Sequence, residues 1–173
     1  MKTLIIQSSF PRSASTVLVN AVHGMIPSLA DKKVEFSDFY RPFRFNLDIT
    51  IIKTHQTELD DMIHRYSGKY KLFFICSERA GFSRFNDKYR LYKNVVIFDF
   101  KELNETPNNI LFHIVDHIYN KIQPLLVGIE LDRISCYERL DAMNIRYEEI
   151  KYLPFDYVDS FYNIHGNHRN RPR

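Results

Sequence analysis

Four stretches of this chain concentrate the residue types that hold anions and move protons. The first is Ser9-Phe10-Pro11-Arg12-Ser13-Ala14-Ser15-Thr16-Val17-Leu18. It follows a short apolar run and precedes a helical pattern. A hydroxyl-rich turn at a helix start aims backbone N–H groups at an anion, and the helix dipole favours negative charge there. Arg12 adds a permanent cation, and Ser13, Ser15 and Thr16 add hydroxyl donors. No Gly-Lys-Ser/Thr follows, so this is not a Walker A loop. The plainer alternative is that Ser13 or Ser15 caps the helix. The second stretch is Ile51-Ile52-Lys53-Thr54-His55. A histidine at a strand end can accept a proton from an attacking hydroxyl near neutral pH, although any one of seven histidines can equally be structural. The third is Glu78-Arg79 with Ser83 and Arg84, where Arg79 follows a strand and can reach a phosphate. The fourth is the tail, His165-Gly166-Asn167-His168-Arg169-Asn170-Arg171, which can wrap an anion or simply fray in solvent.

These stretches need a scaffold that brings strand ends together. Thr3 to Gln7, Asp48 to Lys53, Leu72 to Cys76 and Val95 to Phe98 read as strands. Between them, Leu18, Ala21, Val22 and Met25 recur at helical spacing up to Pro27. Leu59, Met62, Ile63 and Tyr66 mark a second helix that Gly68 can end. Thr106-Pro107 reads as an N-cap and first-turn proline, ahead of Ile110, Leu111, Ile114, Val115, Ile118 and Ile122 on one face. Leu131, Ile134, Leu140, Met143, Tyr147 and Ile150 suggest a last long helix. Between Asp31 and Asn46, Phe and Arg alternate without a clear period. The pattern predicts an α/β domain over residues 1–164, with a parallel sheet of about four to five strands flanked by helices and a helical C-terminal part. Residues 165–173 form a basic tail. In such a sheet ligands bind beyond the carboxyl ends of the strands, so Lys53 and His55 are expected to face the same crevice as the first turn.

Composition narrows the function classes. With 173 residues, 45% hydrophobic and 26% charged, the chain reads as a globular domain with a real core. The net charge is +3, yet His165 to Arg173 hold three arginines and no acid. The remaining body balances 21 basic residues (24 minus 3) against 21 acidic ones. A general nucleic-acid-binding face is therefore not expected. No apolar stretch is long enough for a membrane span, no secretory signal is evident, and Cys76 and Cys136 suggest neither a disulfide framework nor a zinc site. The expected location is the cytoplasm.

Taken together, the motifs resemble those of sulfotransferases that use 3′-phosphoadenosine 5′-phosphosulfate (PAPS). The loop from Ser9 to Leu18 is similar to the family's 5′-phosphosulfate-binding loop, a Pro-Lys/Arg-Ser-Gly-Thr/Ser-Thr pattern after the first strand. Lys53-Thr54-His55 looks like the family's Lys-Thr-His segment. The block from Phe98 through Pro107 resembles its later strand-loop-proline-helix block. The likeness covers roughly residues 2 to 122 in order. It implies a P-loop fold in which Arg12, Ser13, Ala14, Ser15 and Thr16 cradle the phosphosulfate. It also implies His55 as the catalytic base and Lys53 as an aid at the sulfuryl group or the bridging oxygen. Arg79 and Ser83 would contact the 3′-phosphate, with Gly166, Arg169 and Arg171 as a late segment gripping the same group. No metal is expected.

Three departures stand out. Ala14 replaces the family's usual glycine, so the loop is expected to avoid a strongly positive φ there. Val17 stands where many members carry an adenine-stacking tryptophan. Arg79 and Ser83 are four residues apart, where the family spaces the corresponding pair by eight. Two other readings stay open: an atypical P-loop small-molecule kinase, with Asp99 as its candidate magnesium ligand, and a non-catalytic nucleotide-binding protein of the same fold. The acceptor is expected to be a small molecule or glycan. Phe36, Phe39, Tyr40, Phe43 and Phe45, interleaved with Arg41 and Arg44, either line its pocket or belong to the core.

Overall fold

The computed structural model describes residues 1–11, 13–29, 35–36, 47–104 and 110–138. Five parallel strands make one sheet: β1 (Lys2–Ser9), β2 (Glu35–Phe36), β3 (Ile49–Thr54), β4 (Tyr70–Glu78) and β5 (Val95–Asp99), in the order β2-β3-β1-β4-β5. β1 lies in the middle. From β1 the chain runs to the far edge as β2, returns inward as β3, then crosses to build β4 and β5 on the other side. That reversal puts the carboxyl ends of β1, β3 and β4 around one crevice, the place where doubly wound sheets bind ligands.

Alternation along the strands divides the core into two layers. Ile5, Ile51, Phe73 and Ile75 pack with Leu18, Val22 and Met25 of helix α1 (Ser15–Gly24), and with Val115, Ile118 and Ile122 of helix α4 (Ile110–Ile122). Leu4, Ile6, Ile52, Phe74 and Cys76 face the other way. They meet Leu59 and Met62 of helix α2 (Leu59–Tyr66), together with Phe85 and Tyr89. The sheet is thus covered on both faces, as expected for parallel strands. Each central strand reads as a continuous apolar run because neither face meets water.

The expected strands and the first three helices all form, with bounds shifted by a residue or two. Some of the short elements among the described residues escaped the sequence pattern. β2 is only two residues long, too short for a period, and lies in the stretch where none was visible. The short helix α3 (Phe100–Asn104) directly abuts β5. Of the expected helix from Leu131 to Ile150, residues 133–138 are helical, Leu131 and Asp132 precede the helix, and residues 139–150 lie outside the described residues, as do Thr106-Pro107. Asp132 opens that helix: its carboxylate accepts from the amides of Ile134 (2.9 Å) and Ser135 (3.1 Å). Among the described residues, no helix is long and apolar enough to cross a membrane.

Candidate functional site at the carboxyl edge of the sheet

The three central strands change character at one level of the sheet. Leu4-Ile5-Ile6 gives way to Gln7-Ser8-Ser9, Ile51-Ile52 to Lys53-Thr54, and the apolar run ending at Cys76 to Ser77-Glu78. The parallel register sets Gln7 beside Lys53, Ser8 beside Thr54 and Ser9 beside Ser77. All of these polar residues are buried. A buried polar group costs free energy unless it is hydrogen-bonded or charge-paired, so such a belt forms where its bonds are organised.

Much of that organisation fixes the turn after β1. Phe10 N donates to Ser77 O (3.3 Å), and the Phe10 ring meets Phe85 edge-on at 5.1 Å. The Ser13 hydroxyl lies 2.6 Å from Phe10 O and 3.1 Å from Ser77 O, and pairs with the Ser77 hydroxyl at 3.0 Å. Ser13 therefore ties the turn to β4 and, being fully buried, presents its hydroxyl inward. It does not cap α1, and neither does Ser15. The N-cap is Ala14, and no side chain caps the helix. The expectation for Ala14 is overturned, because its φ is +61° and its ψ 26°, in the left-handed region. The turn keeps the backbone shape that glycine adopts freely and holds an alanine in it, at a cost of about 1–2 kcal/mol. Leu18 N donates to Ala14 O (3.1 Å), closing the first turn of the helix. The N–H groups before Leu18 have no partner within the helix, and no acidic residue occupies that turn. An uncapped, acid-free helix start retains its positive end for an anion. Of Thr16 only its place in α1 is described, and Arg12, Gly166, Arg169 and Arg171 lie outside the described residues.

His55 follows β3 and turns toward this loop. Its Nδ1 lies 2.8 Å from Ser9 O. A carbonyl oxygen only accepts, so Nδ1 carries the hydrogen and the neutral ring has its lone pair on Nε2. The ring is half-buried. Gln56 N donates to Thr54 Oγ1 (3.1 Å) and the Ser8 hydroxyl donates to Gln56 O, which binds the segment around His55 to β1. Lys53 is fully buried, on the sheet face that carries Ile51 and packs against α1. Burial pushes its ammonium down to about 7, so a proton leaves it near neutral pH.

The other half of the edge is built from acids. Glu78, at the end of β4, is buried. It accepts from Phe85 N (2.9 Å) and from Arg90, and it pairs with Arg84 at 3.8 Å. Glu78 stands in the third stretch without a role of its own, because its only signal in the sequence is its place at the end of an apolar run. Asp99, the candidate magnesium ligand, accepts from Ala80 N (3.1 Å) and Lys101 N (2.8 Å), and so joins the turn after β4 to the start of α3. Arg79 and Ser83 face each other across that turn. Arg79 N donates to Ser83 O (3.1 Å) and Ser83 N to Arg79 O (3.0 Å), with Gly81 at φ +84°. Four residues of separation here means direct opposition.

No protein-family model matches this chain, and no curated protein matches it.

Proposed function

We propose that the chain is a PAPS-dependent sulfotransferase, moving a sulfuryl group to a hydroxyl or amine acceptor. The observation that carries this reading is the 2.8 Å bond from His55 Nδ1 to Ser9 O. It orients the His55 ring against the same turn whose helix start suits an anion. A proton acceptor and an anion cradle then share one crevice, which is what transfer of an anionic group to a hydroxyl requires.

PAPS, when bound, supplies the activated sulfuryl group. The residues of this chain do the rest by positioning and charge, as in phosphoryl transfer. The first-turn amides of α1 and the Ala14 turn fit an anionic group, to which Arg12 would add its charge, so the turn serves as the P-loop. His55 Nε2 takes the proton of the acceptor hydroxyl, while the Ser9 carbonyl holds the ring in that tautomer and steadies the imidazolium that forms. Lys53, protonated on binding an anion, places a positive charge at the sulfuryl oxygens. Its depressed pKa makes it a reversible proton carrier rather than a fixed cation. Arg79 has its guanidinium over two aromatic rings, which leaves its in-plane N–H groups to reach the 3′-phosphate. The tail arginines Arg169 and Arg171, with Gly166, complete that grip, and Ser83 lies across the turn from Arg79. A cytoplasmic location and a small-molecule or glycan acceptor belong to the same proposal.

Calorimetric titration with adenosine 3′,5′-bisphosphate, with AMP and ATP as controls and with EDTA present, tests it. Micromolar binding that needs the 3′-phosphate is expected. Binding of ATP only with magnesium would replace this reading with the kinase one. Nucleotide binding without sulfuryl transfer to any of a panel of phenols, sugars and amines would leave the non-catalytic one.

A further inference from the structure

We propose that Phe82 is the platform on which the base of a purine nucleotide stacks. The inference rests on the nucleotide site proposed above and supplies what Val17 leaves open, a partner for the base.

Phe82 is 81% exposed, an unusual position for a large apolar ring. It is not a loose loop side chain. The turn that carries it is closed by two backbone bonds between Arg79 and Ser83, by Phe82 N donating to Arg79 O (3.0 Å), and by Ala80 N on the Asp99 carboxylate. The ring's orientation is set as well. The Arg79 guanidinium lies 4.8 Å from the Phe82 centroid and 4.8 Å from that of Phe100. One guanidinium over two rings makes a stacked unit, of which Phe82 is the solvent-facing member. An aromatic ring carried on a closed turn and stacked on a guanidinium has less conformational freedom to lose when a planar ligand stacks on it than one on an open loop. Every nucleobase offers such a plane, and purines offer the larger one.

The location suits a nucleotide whose phosphates lie at the start of α1. Phe10, in the turn after β1, is bonded directly to Ser77, and Arg79 follows two residues later. The two turns therefore leave neighbouring strands, β1 and β4, at the same carboxyl edge of the sheet. The cation beside the ring also suits a ligand that carries a phosphate next to its base. Apolar docking alone would make no use of it.

The test is titration of the wild-type chain, Phe82→Ala and Phe82→Tyr with AMP, ATP and adenosine 3′,5′-bisphosphate, using inorganic pyrophosphate as the baseless control. Phe82→Ala should weaken all the adenine nucleotides by a similar factor, roughly 5- to 100-fold, and leave pyrophosphate binding unchanged. Phe82→Tyr, which keeps the ring, should bind as the wild type does. Melting temperature is expected to hold, since the side chain is exposed. Wild-type nucleotide affinity in Phe82→Ala, or an equal loss of pyrophosphate binding, overturns the platform while leaving the sulfotransferase reading intact. Strong binding of AMP and ATP with no gain from the 3′-phosphate, still lost in Phe82→Ala, keeps the platform and overturns the sulfotransferase reading. A wild-type chain that binds no adenine nucleotide overturns both.

Discussion

The carboxyl edge of the sheet has two halves that treat charge in opposite ways. On the β4–β5 side the acids are tied down: Glu78 by Phe85 N, Arg84 and Arg90, and Asp99 by two backbone amides. These bonds anchor the turn from Arg79 to Ser83 and the segment that follows it. On the β1–β3 side the groups are basic or N–H donors: His55 steadied at one nitrogen, Lys53 inside the sheet, and an α1 start with neither side-chain cap nor acid. Carboxylates are used here for architecture, and the basic and N–H-donating groups gather on the other half of the edge. A site for an anion gains from that division, because a carboxylate in the crevice would repel the ligand.

The sharpest way to break the comparison is at His55. His55→Ala should lower sulfuryl transfer by about 10²–10⁴-fold while leaving the affinity for adenosine 3′,5′-bisphosphate near that of the wild type. Retained turnover in a single-turnover assay would remove the histidine from the chemistry.

Lys53 comes next. Its pKa is lowered on folding, so between pH 7 and about 10 the unfolded chain binds more protons than the folded one. Stability should therefore rise with pH across that window and level off below it. Lys53→Met should flatten the slope and stabilise the fold at pH 6 by on the order of 4 kcal/mol, measured by urea denaturation at several pH values, while reducing turnover. An unchanged slope would show that Lys53 does not titrate in this range.

On the β4–β5 side the effect should fall on stability instead of activity. Glu78→Gln keeps the shape of the side chain but removes the charge opposite Arg84 and Arg90. Both arginines are partly exposed, so the expected loss is about 1–3 kcal/mol, read from chemical denaturation. A larger drop in nucleotide affinity than in stability would make Glu78 part of the site and erase the division.

The smallest expected effect is at Ala14. Ala14→Gly relieves an L-residue held at φ +61° and should raise stability by about 1 kcal/mol, less what glycine gains in the unfolded chain. A destabilised variant would mean that the Ala14 methyl, which packs against the α1 core, outweighs the strain.

The apolar runs were long enough for the sequence to mark the four main strands, and helical periodicity marked α1, α2 and α4. β2 was not legible, since two residues carry no period, nor was α3, which continues β5 without a break. The hydroxyl-rich turn and the Lys53-Thr54-His55 segment could be picked out as chemistry. Their inward or outward facing could not, because orientation depends on neighbours far along the chain. Ser13 shows this most plainly: its hydroxyl had the composition of a ligand donor, and Ser77, 64 residues away, turns it into a structural tie.

Local order therefore settled which segments become strands and helices, and which residue types stand at strand ends, because both follow from residue spacing along the chain. Tertiary structure alone decided that Ala14 keeps a glycine-like backbone, that Lys53 is buried and so loses its proton near neutral pH, and that Arg79 is stacked between Phe82 and Phe100. Each of these depends on what packs against the residue from another strand or turn. Solvation, backbone strain and stacking are properties of that environment.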